Sequence, residues 1–398
     1  MTSSPGLRAL LVDPSLFTAP YDAALTDGLL AAGVDVTWAT RPTRRADREL
    51  LPPSRVDAFF YRGVDDAPRL PRALRAAAKG LSHALGLCGL VLRVIQRKPD
   101  IVHFQWTVVP CLDAVAISVI RVLRPVVLTV HDPVPFNGER RSRLQTWGFD
   151  FAIRLADRVI VHTKAGRRTL VERGVSAAKI AVIPHGPLSL GVPIPEQCVR
   201  EAETKGTKRT FLLFGEIKAY KGADLLIEAV GLLPEVAKRK ARVILAGRPQ
   251  MDLAPLSHRI ETLGLQDAVE IRARRHTEEE MASLFAETDC FVFPYRQIDA
   301  SGVYFLVKSL GKWVIATRVG VFAEDLQETQ GTLVPPGDAA ALAAAIESAL
   351  RTKPAPATAR AEETWAAIGH ATKELYARTL ADGAISRLRL RSLGSRSQ

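Results

Sequence analysis

Cysteine, methionine and aromatic residues are all scarce in this sequence of 398 residues, with four cysteines, three methionines and 6% aromatic residues. None of the cysteines, Cys88, Cys111, Cys198 and Cys290, forms a CxxC pair, which argues against a disulfide framework and a zinc site. No run of about 18 apolar residues predicts a membrane span, and the start MTSSPGLRALLVDPS lacks a signal-peptide pattern. We therefore expect a soluble cytoplasmic protein.

Lysine and arginine outnumber the acidic residues by 54 to 42, which gives a net charge of +12. This balance favours an anionic partner such as a phosphate group, an acidic membrane or nucleic acid, but an arginine-rich coding bias explains it equally well. No RRM or helix-turn-helix pattern accompanies the charge, so we expect no nucleic-acid partner. Hydrophobic residues make up 47% of the chain, and its length suits two domains better than one.

Short apolar strands alternate with helical segments through both halves of the chain. The strand-like segments include LRALLVD, VDVTWAT, DIVHFQW, PVVLTVH and RVIVHT, followed by RTFLLFG, RVILAG, CFVFPYR and KWVIAT. This alternation predicts an α/β fold of two doubly wound Rossmann-like domains that face each other across a cleft. We expect a first domain over 1–190, a linker over 191–208, a second domain over 209–363, a helix over 364–380 that packs back on the first domain, and a basic flexible tail over 381–398.

The clearest local signal is the segment Phe211–Ala229, FLLFGEIKAYKGADLLIEA. An apolar strand ends at Gly215, a loop carries Lys218 and Lys221, and Gly222 opens an amphipathic helix. A helix N-terminus offers unpaired N–H groups and a partial positive charge, so two lysines beside it would complete a diphosphate site. A plain strand–loop–helix with solvated lysines remains the alternative.

A second segment of the same kind is PYRQIDASGVYFLVKSLGKWVIAT, residues 294–317. Its loop contains Arg296, Asp299, Ser301 and Gly302, and a helix is predicted to start at about Gly302. Because the carboxyl ends of parallel strands share one edge of a sheet, this loop and the lysine loop should meet there. Ordinary turn chemistry is the alternative for this loop.

Histidines end four predicted strands of the first half: His103 in DIVHF, His131 in VVLTVH, His162 in VIVHT and His185 in VIPHG. His103, Asp132 and His185 are candidates for contact with an acceptor at the cleft. A hydrogen-bonded structural role is the alternative for each histidine, most of all for His103.

Taken together, these motifs resemble glycosyltransferase family 4, whose members are retaining, metal-independent enzymes with the GT-B fold. The matching stretches are VVLTVHDPVP, VIPHG, FGEIKAYKGADLLIEA, VILAGRP, DCFVFPYR with SGV, GKWVIAT and GTLVPPGD, in the family's order over almost the whole chain. The form PYRxIDxSGV is similar to a branch found in bacterial surface-polysaccharide gene sets.

The resemblance implies a site for a nucleotide-sugar donor, without a metal or cofactor. Lys221 would match the lysine that holds the donor diphosphate, Lys218 looks like a second phosphate contact, and His131 would match the histidine that reaches the donor sugar. The predicted donor-binding residues are Gly215, Lys218, Lys221, Gly222, Arg296, Ser301, Gly302 and Val303, and the predicted catalytic residues are His131, Lys221 and Asp299.

Three features depart from the family pattern. Glu216 stands where many members have arginine, Leu306 stands where a glutamate usually holds the ribose, and DPSLFTAPYD replaces the glycine-rich loop after the first strand. Asp299 lies one residue from the position of the family's other glutamate. These changes leave the identity of the donor open.

The features above predict a hexosyltransferase that takes a sugar from a nucleoside diphosphate, with retention, in cell-surface polysaccharide or glycoconjugate biosynthesis. Its acceptor would be a glycan, a lipid-linked sugar or a small molecule. The alternatives are a catalytically weak GT-B scaffold of a glycan-assembly complex and a nucleotide-sugar epimerase. The stretch RLPRALRAAAKGLSHALGLCGLVLRVIQRK either lies on an anionic membrane, at the inner face of the cell membrane, or packs on the core with a basic solvent side.

Overall fold

A computed structural model describes residues 6–44, 47–64, 71–133, 148–193, 208–352 and 363–394, with the side chains at 72–73 and 384–394 left out. The chain divides into two compact units. Of the described residues, the first unit contains 6–44, 47–64, 71–133, 148–186 and 363–394, and the second contains 187–193 and 208–352. Most of the predicted linker, 194–207, lies outside the described residues.

The first unit is built on a seven-stranded parallel sheet with the order β3-β2-β1-β4-β5-β6-β7. Its central strands are apolar on both faces, as expected where helices cover a parallel sheet from both sides. The strands are β1 (Arg8–Asp13), β2 (Asp35–Thr40), β3 (Val56–Ala58), β4 (Ile101–Phe104), β5 (Val126–Thr129), β6 (Arg158–Val161) and β7 (Ile180–Val182). The helices between them are α1 (Ala19–Ala31), α2 (Arg72–Arg97), α3 (Pro110–Leu123), α4 (Phe149–Leu155) and α5 (Lys164–Glu172).

The second unit repeats this plan with a six-stranded parallel sheet of the order β10-β9-β8-β11-β12-β13. The strands are β8 (Arg209–Phe214), β9 (Ala241–Ala246), β10 (Val269–Arg272), β11 (Cys290–Phe293), β12 (Trp313–Thr317) and β13 (Gly331–Val334). The helices are α6 (Ala223–Gly231), α7 (Glu235–Lys240), α8 (Ala254–Thr262), α9 (Glu278–Glu287), α10 (Gly302–Lys308), α11 (Gly320–Asp325) and α12 (Ala339–Arg351). The strand order reverses between β8 and β11, the kind of position where open α/β sheets bind ligands.

The C-terminal helix α13 (Trp365–Gly394) belongs to the first unit, where it packs against α1. The two backbones cross at a pair of glycines, because a Cβ on Gly28 would lie 2.1 Å from the carbonyl oxygen of Trp365, and one on Gly369 would lie 2.0 Å from that of Gly28. The sequence pattern predicts that this helix ends at residue 380 and that a flexible tail follows. The helix instead continues to Gly394, through a segment rich in leucine and arginine, which are both good helix formers.

Candidate active site

The carboxyl end of β8 opens into the loop that carries the predicted phosphate-binding lysines. Gly215 has a φ angle of +110°, and Gly222, after the 3₁₀ turn Ala219–Lys221, has a φ angle of +69°. A Cβ on Gly222 would lie 2.0 Å from the carbonyl oxygen of Pro294, at the end of β11. Both positions therefore need glycine, since a side chain would be strained there and would clash at Gly222.

Lys221 is buried inside this loop, with only 8% of its surface exposed. Its Nζ lies 5.6 Å from the centre of the Tyr295 ring, and a Cβ on Gly215 would lie 2.8 Å from Nζ and 3.2 Å from Cγ2 of Val303. Within the described residues, Nζ has no hydrogen-bond or ion-pair partner. Burial lowers the pKa of Lys221, because its ammonium group has lost water. The structure thus brings the two predicted donor loops together around a buried cation at the start of α6.

Other cations at this edge are paired with carboxylates. Lys218 and Arg248 bind the two oxygens of Glu216, at 3.0 and 2.5 Å. Arg296 binds both oxygens of Asp224, in the first turn of α6, at 3.0 and 2.5 Å. In this structure the guanidinium group of Arg296 is held by this bidentate pair and by the carbonyl of Ala219, and its predicted donor contact stays a prediction.

The loop before α10 holds the remaining predicted donor residues. The Oγ of Ser301 accepts a hydrogen bond from the N–H of Tyr304 and caps α10. Gly302 is exposed, and a Cβ there would meet nothing within 4 Å. Asp299 is buried, and its carbonyl oxygen accepts a hydrogen bond from the N–H of Val321. The catalytic role of Asp299 stays a prediction. The open space beside this loop lies at Gly302, not at Asp299.

In the first unit, three histidines surround the ring of Tyr21 at the carboxyl ends of β5, β6 and β7. The ring centres of His131, His162 and His185 lie 4.8, 5.4 and 4.9 Å from that of Tyr21. Burial and the neighbouring histidines hold the pKa of His131 well below its usual range, and burial lowers the pKa of His162 to about 4. Both imidazoles are therefore neutral at physiological pH.

The imidazole of His131 is held from two sides. Its Nδ1 lies 3.2 Å from Nε2 of His162, and the Trp106 ring stacks on it at 5.0 Å with an angle of 15° between the planes. Its Nε2 is buried and has no hydrogen-bond partner in the described part of the chain. Asp132 follows directly and is half-buried. His131 therefore presents a neutral nitrogen to whatever group enters beside it.

Two of the predicted acceptor residues differ in their surroundings. His185 donates its Nδ1 hydrogen to the carbonyl of Gly186, at 2.6 Å, and stays at the edge of the sheet. His103 is fully buried, and its ring nitrogens bond the hydroxyls of Tyr376 and Thr129 at 2.6 and 2.8 Å. The prediction of an acceptor contact is wrong for His103, because its side chain points to the face of the sheet that α13 covers.

Two buried carboxyl groups at the end of β1 were not among the residues predicted from the sequence. Asp13 and Asp22 are fully buried. Burial raises the pKa of both, and with the neighbouring charge of Asp13 it raises that of Asp22 well above its usual range. Thr18 links them to the rest of the site, since its N–H bonds Asp13 and its hydroxyl accepts a hydrogen bond from Nε1 of Trp106. An aspartate at a strand end and another in the first turn of the next helix were the available signal.

Comparison with protein families assigns both halves of the chain. Residues 23–186 match the profile of Glycosyltransferase Family 4, and residues 196–364 match that of Glycosyl transferases group 1. The chain belongs to glycosyltransferase family 4. No curated protein sequence matches it significantly. The resemblance inferred from the motifs is therefore confirmed at the level of the family.

Solved structures show the same fold. HepE from Anabaena, in complex with UDP-glucose, is 17% identical with a TM-score of 0.61, over 96% of this chain and 100% of that one. Sucrose-phosphate synthase from Thermosynechococcus elongatus is 19% identical with a TM-score of 0.63, over 98% and 100%. The catalytic domain of starch synthase IV from Arabidopsis thaliana, bound to ADP and acarbose, is 13% identical with a TM-score of 0.63, over 95% and 100%. This family 4 glycosyltransferase therefore has the α/β GT-B fold that was predicted.

Proposed function

We propose that the enzyme transfers a hexose from a nucleoside diphosphate sugar to a glycan, lipid-linked or small-molecule acceptor, with retention at the anomeric carbon. The observation that carries the proposal is the buried ammonium group of Lys221, which lies beside Gly215 and the N-terminus of α6 without an anionic partner among the described residues. A buried cation without a counter-ion costs folding free energy. An anionic group of a ligand, such as a diphosphate, would offset that cost.

The proposed step breaks the bond between the anomeric carbon and the β-phosphate oxygen and forms a bond from that carbon to an acceptor hydroxyl oxygen, whose proton passes to solvent. The nucleoside diphosphate leaves with an added negative charge. Lys221 and the N–H groups at the start of α6 would stabilise that charge as it develops, without a metal ion. His131 would orient the sugar through its neutral imidazole, and no general base is assigned. Complexes of HepE with UDP-glucose and of starch synthase IV with ADP support this class of donor.

The test is a panel of UDP-, GDP- and ADP-hexoses, with thermal stabilisation and release of nucleoside diphosphate as readouts. We expect at least one member to raise the unfolding temperature and to be turned over, slowly with water and faster with an acceptor. The anomeric configuration of the product, read by NMR, tests retention. A panel in which no nucleotide sugar stabilises or is turned over would refute the proposal.

We propose that the enzyme binds its acceptor at a membrane surface, because α2 exposes an apolar face. Its leucines recur on one side of the helix at seven- and four-residue spacings. The exposed residues of this face are Leu74, Leu81, Leu85, Leu92 and Ile95, between 49% and 64% exposed. Val115, Val119 and Val122 of α3, which packs against α2, and Phe151 of α4 are exposed as well. The predicted alternative, a basic solvent side, does not describe this face, and its apolar area suits the acyl region below anionic headgroups.

Helix α2 is long and apolar enough over Leu74–Arg97 to cross a membrane by length and composition. Its contacts favour a position on the surface. His83, fully buried on the opposite side of the helix, bonds Asp113 of α3 at 2.8 Å and the hydroxyl of Tyr61 at 2.7 Å. These bonds would be lost if the helix left the unit. We therefore propose a peripheral location at the cytoplasmic face of the membrane.

Sedimentation with vesicles tests this placement. The wild-type chain should sediment with phosphatidylglycerol-containing vesicles and much less with phosphatidylcholine vesicles. Leu81→Ser with Leu85→Ser should abolish the binding, whereas Leu232→Ser, a matched exposed leucine of the second unit, 59% exposed, should leave it unchanged. Binding that survives the double substitution would place the contact elsewhere.

The second candidate function is a catalytically weak scaffold in a glycan-assembly complex. Glu216 forms ion pairs with Lys218 and Arg248, which would otherwise be available to a phosphate. Leu306 is 9% exposed and packs in the apolar core, at the position where many family members have the glutamate that holds the ribose. Both features weaken a donor site. A scaffold should show neither donor hydrolysis nor stabilisation by nucleotides in the same panel, whereas a nucleotide-sugar epimerase would convert the donor without releasing the nucleoside diphosphate.

A further inference from the structure

The direction of each hydrogen bond around His131 follows from its neighbours. Nδ1 of His162 lies 3.0 Å from the carbonyl oxygen of Ile183. A carbonyl oxygen only accepts hydrogen bonds, so Nδ1 of His162 carries the hydrogen. In a neutral imidazole the other nitrogen is then an acceptor, and Nε2 of His162 faces Nδ1 of His131 at 3.2 Å. The hydrogen of that bond must therefore come from Nδ1 of His131.

This assignment decides the state of the remaining nitrogen. With its hydrogen on Nδ1, neutral His131 has a lone pair on Nε2, which is buried and without a partner among the described residues. The opposite tautomer would bring two lone pairs together at 3.2 Å and would leave a buried N–H without an acceptor. Stacking of Trp106 and the edge of Tyr21 hold the ring in place. The pair with His162 thus determines that His131 is an acceptor.

The space beside His131 can hold a small group that donates a hydrogen bond. A cavity of about 20 Å³ is bordered by Trp106, His131 and Asp132, among others. This volume holds one water-sized group, such as a hydroxyl. A sugar hydroxyl can donate the hydrogen bond that an imidazole lone pair accepts, and the low pKa of both histidines keeps that lone pair available at neutral pH.

We propose that His162 is a positioning residue that fixes His131 in the Nδ1–H tautomer, so that Nε2 accepts a hydrogen bond from a hydroxyl group of the sugar substrate. The hydroxyl contact rests on the proposed function, whereas the tautomer does not. This contact would make the enzyme selective for a sugar with that hydroxyl, because a fluorine in its place cannot donate a hydrogen bond to Nε2.

The tautomer is tested without any substrate, by NMR of the full chain labelled with ¹⁵N and ¹³C in histidine, with His131→Asn used to assign the signal. We expect His131 to be neutral and protonated at Nδ1 at pH 7. His162→Phe should move the hydrogen to Nε2, and His162→Gln, whose amide can donate to Ile183 and accept from His131, should keep it on Nδ1. His258→Gln, at an exposed histidine of the second unit, is the control. A wild-type His131 protonated at Nε2 or at both nitrogens, or an unchanged signal in His162→Phe, would overturn the proposal.

Kinetics with the donor found in the nucleotide-sugar panel tests the hydroxyl contact. His162→Phe should lower kcat/KM by about tenfold or more, and His162→Gln should restore most of it. Monofluorinated donors should lose this same factor at one sugar position in the wild type and lose nothing there in His131→Phe. Equal losses in His162→Phe and His162→Gln would indicate a structural role and overturn the positioning. An intact tautomer in a chain that turns over no nucleotide sugar would instead refute the proposed function.

Discussion

Replacement of Lys221 by methionine separates its functional role from its effect on stability. Methionine has almost the same length and shape as lysine, and its uncharged side chain packs well in an apolar site. Lys221 is 8% exposed, and its ammonium group lacks a hydrogen-bond or ion-pair partner among the described residues. A buried polar group without a partner costs about 1–3 kcal/mol, more for a charge. Lys221→Met should therefore raise the free energy of unfolding by about 1 kcal/mol or more, or about 2–4 °C in Tm for a unit of this size.

The same substitution should remove most of the turnover. Loss of one group that stabilises developing charge typically lowers kcat by about 10²–10³. The assay is release of nucleoside diphosphate from the donor identified by the panel, with thermal unfolding measured on the same samples. Lys240→Met, an exposed lysine at the end of α7, directly before β9 and so at the opposite edge of the sheet, is the matched control and should change neither quantity.

The pH dependence gives a second signature of the buried charge. Because the folded state lowers the pKa of Lys221, it holds fewer protons than the unfolded chain at pH values between that lowered pKa and the ordinary lysine pKa of about 10.4. Wild-type stability should therefore rise towards that of Lys221→Met as the pH increases through this window. Turnover within about threefold of wild type, or a lower Tm in Lys221→Met, would refute the reasoning.

Three further substitutions test other parts of the molecule. Asp22→Asn removes one of two buried titrating carboxyls. Since burial raises the pKa of both groups, the folded wild type should lose stability as the pH rises above about 4, and urea unfolding of Asp22→Asn should show a flatter pH profile. An equal slope in both proteins would contradict the raised pKa of Asp22. Glu216→Gln should release two cations and lower the donor KM by about threefold, with steady-state kinetics as the check and a raised KM as the contrary result. Gly369→Ala would place a methyl group 2.0 Å from the carbonyl oxygen of Gly28 and should destabilise the chain by about 3 kcal/mol; an unchanged Tm would mean that the two helices separate at little cost.

The fold could be predicted because its signals are local. Alternation of apolar strands with helices is enough to indicate parallel α/β units, and glycines at strand ends mark the loops that bend at positive φ. The same logic places His131, His162 and His185 at one edge of a sheet, and it brings the Lys221 and Ser301 loops together. Parallel strands end at the same edge, so their last residues become neighbours without any knowledge of side-chain contacts.

The hydrogen-bond and ion-pair partners of the side chains at the strand ends could not be predicted from the sequence. Arg296 looks like a phosphate ligand in the sequence, but Asp224, distant in sequence, binds it in a bidentate pair. His103 stands one residue before the end of β4, and the alternation along the strand turns its side chain to the face where Ile101 is buried and α13 packs. The tautomer of His131 depends on a carbonyl two strands away through His162. Each of these outcomes depends on rotamers and on register, which periodicity does not report.

The place of α13 also has a consequence for how the chain is made. The second unit is nearly continuous in sequence, from Pro187 to Arg360, whereas the core of the first includes Ile368 and Tyr376 from the end of the chain. On the ribosome, the second unit is complete before the segment that finishes the first unit has been synthesised. Domains usually fold in the order in which they emerge. We therefore expect the face of α1 and the ring of His103 to stay uncovered until α13 has left the exit tunnel.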